Sequence, residues 1–254
     1  MRGRSARAAA LALGVLLAGV GCATIRPPTV TDSPGRDPQT AWARVLHDSV
    51  LADGRIDFVG LRRDPGDLEV YVAWVADHGP RSTPGLFPTR SARLAYYVNA
   101  YNALAMYQVV TTERRPAQHL RFFLLSTLRI DGERRSLYTL ENRMIRPLGE
   151  PRVHFALNCM VRGCPRLPRE PFDPAQLDAQ LDRETRHFLG EPRNVQVDPA
   201  LDIVRVSSIL RFYRKDFLAA APSLIAYVNR YRDEKVPERS RVRFIPYDWT
   251  LNER

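Results

Sequence analysis

The stretch Arg152-Val-His-Phe-Ala-Leu-Asn-Cys-Met-Val-Arg-Gly-Cys-Pro-Arg-Leu-Pro168 decides how the rest of this chain is read. Val153, Phe155 and Leu157 alternate with His154, Ala156 and Asn158, which predicts a β-strand. Gly163-Cys164-Pro165 ends it, because proline removes a donor that a central strand needs. The stretch holds both cysteines that lie outside the N-terminal leader, and a histidine five residues before the first. Imidazole and thiol are the side chains best suited to chemistry near neutral pH.

Working outward, the C-terminal side opens with an amphipathic helix over 173–189, carrying Leu177, Leu181, Thr185 and Phe188. Paired strands follow at 195–197 and 203–206, then helices at 207–217 and 223–231. A last strand at 242–245 leads into Tyr247-Asp-Trp-Thr-Leu-Asn252. On the N-terminal side a helix is predicted over 136–146, preceded by a hairpin turn at Asp131-Gly132 and an apolar run at 120–128. Ser91 is the predicted cap of a very apolar helix over 92–111. Asn99 and Asn102 share one face of it and need hydrogen-bond partners, either to fix the core or to orient a catalytic or substrate group. Earlier helices carry Trp42, Val45, Leu46 and Val50, and then Leu68, Tyr71, Val72 and Val75. The fold class is therefore α+β: a helix-rich single domain, residues 40–254, around a small and mostly antiparallel sheet.

Residues 1–22 read as a secretory leader. Arg2, Arg4 and Arg7 precede an uncharged apolar segment too short to span a bilayer. Small residues before Cys22 resemble a bacterial lipoprotein cleavage site, so Cys22 is the expected lipidation site. Residues 23–39, rich in proline, glycine and small polar residues, form a flexible tether. The expected location is the cell envelope, periplasmic and lipid-anchored, on the outer membrane if the host is Gram-negative. The formal charge is +10, carried almost wholly by arginine and scattered among 28 acids. No basic helix face or aromatic-interleaved basic run stands out, which argues against nucleic acid. The expected partners are the membrane, through the lipid, and an envelope protein, peptide or cell-wall ligand.

Four blocks carry a family resemblance: Ala95-Tyr-Tyr-Val-Asn-Ala-Tyr-Asn-Ala-Leu104, Pro151-Arg-Val-His-Phe-Ala-Leu-Asn-Cys159, Gly163-Cys-Pro-Arg-Leu167 and the 247–252 segment. In this order they resemble the DUF547 domain family, over roughly residues 42 to 252. The resemblance implies a fold and a site neighbourhood, and no reaction. The order of polar helix, histidine-bearing strand and C-terminal aspartate is also loosely similar to papain/transglutaminase-type folds. In those folds the helix carries the cysteine; here it carries Asn99, Tyr101 and Asn102.

Three chemistries compete for the cysteines. An exported Cys-x4-Cys pair predicts a Cys159–Cys164 disulfide. His154, Cys159 and Cys164 offer three zinc ligands, at a spacing that matches no standard pattern, so no metal is assigned. A thiol enzyme would use Cys164 or Cys159 as nucleophile, His154 as base and Asp248 to orient the imidazole. Asn99, Tyr101, Asn102, Asn158 and Trp249 are the candidate binding residues. The favoured reading is a binding or structural module with a polar cleft and no cofactor. The alternative is a thiol- or metal-dependent hydrolase or acyltransferase.

Overall fold

The computed structural model describes residues 24, 25, 28, 36–112 and 126–254. Cys22 with the whole 1–22 leader, most of the 23–39 tether and part of the 120–128 run lie outside the described residues. Helix α1 (Pro38–Ser49) begins where the sequence supplies both a cap and a first-turn proline. The Asp37 carboxylate accepts from the Thr40 N–H at 2.7 Å. Its buried face packs on α3 (Gly66–Asp77), with the rings of Trp42 and Tyr71 stacked at 5.3 Å. The short α2 (Phe58–Arg63) lies between them in sequence. Helix α4 (Arg90–Thr111) is buried all round over residues 94–109, so it is the axis of the first core and not a surface element. Its cap is Thr89, which accepts from the Ala92 N–H at 3.0 Å; the expected Ser91 sits inside the first turn.

Strands β1 (Thr127–Ile130) and β2 (Glu133–Ser136) form the expected hairpin. Its turn places Asp131 and Gly132 at φ of 52° and 82°, the left-handed values a two-residue type I′ turn demands. The helix expected over 136–146 is only partly regular. Ser136 caps α5 (Leu137–Leu140), which passes directly into a π turn at Glu141–Ile145.

The C-terminal part contains α6 (Leu177–Gly190), β3 (Val195–Asp198), β4 (Ile203–Ser207), α7 (Ile209–Phe212), α8 (Arg214–Ala220), α9 (Leu224–Tyr231) and β5 (Arg241–Ile245). The single helix expected over 207–217 is broken at Tyr213. The strands make two sheets where one was expected: the β1–β2 hairpin and a three-stranded sheet in the order β3-β4-β5. In the latter β3 and β4 are antiparallel, while β5 joins β4 in parallel. A second core lies here, built on Phe155, Phe188, Val204, Phe217 and Tyr227.

The stretch 152–158 is not the strand its alternation predicts. Pro151–Phe155 forms a short 3-10 turn, started by Pro151 and by the Glu150 side chain accepting from the Arg152 N–H. The reason lies in the two cores. Val153 and Leu157 enter the first and Phe155 enters the second. On a strand all three would point to one face; the tighter turn sends them to opposite sides. The backbone beyond the turn has no ladder to join, and α4 supplies the partner. The Asn102 side chain donates to the Ala156 carbonyl at 2.9 Å and accepts from the Asn158 N–H at 2.8 Å. Asn158 then accepts from the Met160 N–H at 2.7 Å, across a left-handed Met160 at φ 68°.

The segment 248–252 closes over this stretch. The N–H groups of Arg162 and Gly163 donate to the carbonyls of Thr250 and Asp248, each at 2.8 Å. A Cβ at Gly163 would stand 2.8 Å from the Tyr247 ring, so only glycine lets the two strands approach this closely. Replacing Asn102 with alanine strands a buried carbonyl and a buried N–H. The expected loss is roughly 2–4 kcal/mol, read as a lower urea midpoint at unchanged slope. A loss below about 0.5 kcal/mol, the level of an ordinary surface change, would show that the clamp does not hold the segment.

Candidate functional site

A cavity of about 440 Å³ opens where the two cores meet, within the roughly 300–1,000 Å³ range of small-molecule sites. Helix α4 contributes Tyr101 and Ala105, and the π turn contributes Glu141. The 152–168 stretch contributes His154, Cys159 and Cys164, and the break between α7 and α8 contributes Tyr213. Tyr247 and Trp249 come from the closing segment. The walls are mainly apolar and aromatic. Tyr138, Phe212 and Trp249 are about half exposed, which places them at the mouth.

His154 is buried with its ring stacked on Tyr213, centroids 3.7 Å apart. Its Nε2 lies 2.8 Å from the Asp216 carboxylate. Arg146 grips the same carboxylate with Nε at 2.7 Å and Nη2 at 2.8 Å, a bidentate fork. Burial would raise the Asp216 pKa, but the Arg146 and His154 hydrogen bonds outweigh it and hold the carboxyl well below its usual range. Burial lowers the His154 pKa more than Asp216 raises it. The imidazole is therefore neutral, Nε2 carries the proton given to Asp216, and Nδ1 is a bare acceptor. Nδ1 is buried with no hydrogen-bond partner among the described residues.

The expected orienter, Asp248, is not at this histidine. Its side chain caps the Thr250 N–H at 2.9 Å, and its own contribution to the closure is the carbonyl that receives Gly163. Asp216 takes the role instead. Its signal was present in the sequence: Tyr213, Asp216 and Phe217 share the i, i+3, i+4 face of a helix, which puts an acid among buried aromatics.

Glu141 was also missed. It lies on the stripe Leu137, Glu141, Ile145, an acid at an apolar helix position. Burial raises its pKa to about 7 against the hydrogen bonds of Tyr213 and Tyr101 and the charge of Arg146. Its Oε1 has no hydrogen-bond partner among the described residues.

The cysteines are separate thiols here, not the expected bridge. The Cys164 sulfur accepts from the Cys159 N–H at 3.0 Å. The Tyr247 hydroxyl lies 3.2 Å from it and 3.4 Å from the Cys159 sulfur. Burial opposes ionisation of Cys164, but the Cys159 thiol and Tyr247 hydroxyl stabilise its thiolate and bring its pKa down. Cys159 is pushed up, first by sharing its proton with Cys164 and then by burial. Neither sulfur is a hydrogen-bond partner of His154 Nδ1. For the zinc reading, no group of three or more His, Cys, Asp or Glu among the described residues is arranged to hold a metal ion.

Of the candidate binding residues, Tyr101 and Trp249 reach the cavity. Asn99, Asn102 and Asn158 do not line it; they are buried and committed to the frame. Asn99 accepts from the Phe172 N–H at 3.0 Å and the Trp42 indole at 3.3 Å, and donates to the Phe172 carbonyl at 2.8 Å. Asn158 donates to the Pro165 carbonyl at 2.7 Å.

Residues 87–189 match the model of DUF547, a protein family of unknown function. The match is to this segment and not to the whole chain. No curated protein and no solved structure matches it significantly. The matched segment spans α4, the β1–β2 hairpin, the π turn and the 152–168 stretch, so it carries Glu141, His154 and both thiols. Tyr213, Asp216, Tyr247 and Trp249 lie beyond it.

Glu141 fixes a pH dependence. In the folded chain it keeps its proton up to about pH 7, whereas a free glutamate releases it near 4.5. The folded state therefore holds more protons in that window, and stability falls as pH rises through it, then levels off. Glu141→Gln is expected to remove this decline, on the order of 3 kcal/mol. Urea midpoints between pH 4.5 and 8 test it; parallel profiles for the two proteins would contradict the assignment.

Proposed function

We propose that this chain is an exported, lipid-anchored envelope protein that uses the cavity to bind a small ligand or a peptide side chain. The observation that carries the reading is the cavity itself. It is a partly open, aromatic-walled space of about 440 Å³ that brings together polar groups from five separate parts of the chain. A stabilising core has no use for a void lined by Glu141 and His154, since leaving Glu141 Oε1 and His154 Nδ1 buried and unpaired costs free energy. The lipoprotein-like leader, Cys22 and the 23–39 tether support the location. In this reading the anchor is the lipid on Cys22; among the described residues no helix is long and apolar enough to cross a membrane.

Native mass spectrometry of the full-length protein, extracted from its own membranes, tests both halves. The wild type is expected to pellet with membranes and Cys22→Ser to be released. The wild type is expected to carry a non-covalent small-molecule mass that Ala105→Trp, which fills the cavity from α4, does not. Identical bare spectra for both proteins would count against ligand binding.

One observation favours a second reading. The Cys164 sulfur receives a backbone N–H and lies beside a tyrosine hydroxyl, an environment that favours the thiolate a cysteine nucleophile needs. In a thiol-dependent hydrolase or acyltransferase Cys164 would attack, with Glu141, raised by burial to about 7, as an acid–base group on the wall. Iodoacetamide at pH 7 is then expected to label Cys164 in preference to Cys159, and Cys164→Ser to abolish turnover of acyl esters. Equal and slow labelling of both cysteines would remove this reading.

A further inference from the structure

The cavity wall has an imbalance of polar groups that specifies the chemistry of its occupant. Two buried acceptors on it have no hydrogen-bond partner among the described residues: Oε1 of Glu141, a residue only 1% exposed, and Nδ1 of His154, 3% exposed. The strongest donor on the wall is already committed. The Arg146 guanidinium forks onto Asp216, bonds the Asn142 side chain and lies over the Tyr213 ring at 5.5 Å. Arg146 and Asp216 thereby cancel each other's charge, and the carboxyl of Glu141 is left unbalanced. The remaining wall is ring faces: Tyr101, Tyr213, Phe212, Tyr247 and Trp249. Buried acceptors with no donor to match are costly unless a ligand supplies the donor. A carboxylate beside several aromatic faces attracts positive charge by Coulomb and cation–π forces together.

We infer that the cavity is a recognition site for an organic ammonium group, with the N–H donors directed at Glu141 and His154 and the apolar body of the ligand laid against the rings. This names the ligand class of the site proposed above and rests on that reading of the cavity. The chemistry is that of a primary amine on an apolar stem, whether a free amine or the side chain of a lysine in a peptide.

Isothermal titration at pH 8 with the detergent-solubilised full chain provides the test. The probes are hexylamine, hexyltrimethylammonium, 1-hexanol and Nα-acetyl-lysine methylamide. Hexylamine is expected to bind at least about tenfold more tightly than 1-hexanol, the factor expected of one charge-assisted hydrogen bond. Hexyltrimethylammonium, which keeps the charge and loses the N–H donors, is expected to fall between them. Glu141→Gln is expected to bring hexylamine down to the level of 1-hexanol. The ranking of the three hexyl probes on the wild type needs no variant, so it stands even if Glu141→Gln folds poorly. Binding of the lysine derivative as well as hexylamine supports a peptide-borne amine; binding of hexylamine alone supports a free one. If 1-hexanol binds the wild type as tightly as hexylamine, the cavity binds ligands but the amine assignment is wrong. If no probe binds and Ala105→Trp gives the same traces as the wild type, the ligand-binding reading fails along with it.

Discussion

The grip of one asparagine side chain on two backbone groups underlies the rest of this structure. The segment after residue 155 leaves a 3-10 turn with carbonyls and N–H groups that no strand or helix satisfies. Buried peptide groups in that state are costly, so the chain must find them partners or leave the core. Asn102 answers the carbonyl of Ala156 and the N–H of Asn158 with one amide. It does so from α4, the most completely buried helix of the fold. The irregular segment is thus referenced to the most rigid element available, and His154 and Cys159 on either side of it inherit that placement. Asn99, one turn earlier, does the same for Phe172. A helix this apolar gives up some intrinsic propensity to carry two asparagines, and what it gains is control over two loops.

The cavity's electrostatics follow from which charges found partners. Asp216 has Arg146 and His154, and remains ionised despite partial burial. His154 spends one nitrogen on Asp216 and is kept neutral by burial. Glu141 has only tyrosine hydroxyls and a distant share of Arg146, and burial wins. Cys164 is stabilised without a cation, by an N–H and two weaker donors. Titratable groups of different kinds on one wall are thus shifted from their ordinary behaviour, each for a different reason, which is the usual condition of sites that bind or react.

Much of the fold could be read from local pattern. The hairpin at Asp131-Gly132 follows from a dipeptide that tolerates left-handed backbone, and α4 follows from its capped apolar run. The 152–158 stretch misled because alternation reports which residues are buried and not into which core. Val153 and Phe155 are both buried, on opposite sides. In the site, His154, Cys159, Cys164, Tyr101 and Trp249 stood out by chemical type and do meet at the cavity. Asp216 and Glu141 did not, because each occupies an ordinary-looking position in a helical pattern, visible only as an acid on an apolar face. Asp248 attracted a role through its neighbours Tyr247 and Trp249, yet it is the carbonyl of that residue, invisible to any reading by side chain, that joins the stretch.

The closing segment also sets an order of assembly. Tyr247 reaches both sulfurs from a strand that pairs with residues 160–163, and Ile56 pairs with residues 252–254 nearly two hundred positions away. Synthesis delivers α1 to α4 long before these partners exist. The first core draws on residues from Trp42 to Leu181, but the cavity lacks Tyr247 and Trp249 until the closing segment arrives. Until then Cys159 and Cys164 lack the Tyr247 hydroxyl that lies between them in the folded chain. The site is thus complete only when contacts far apart in sequence have formed, and non-local contacts of this kind are the slow ones.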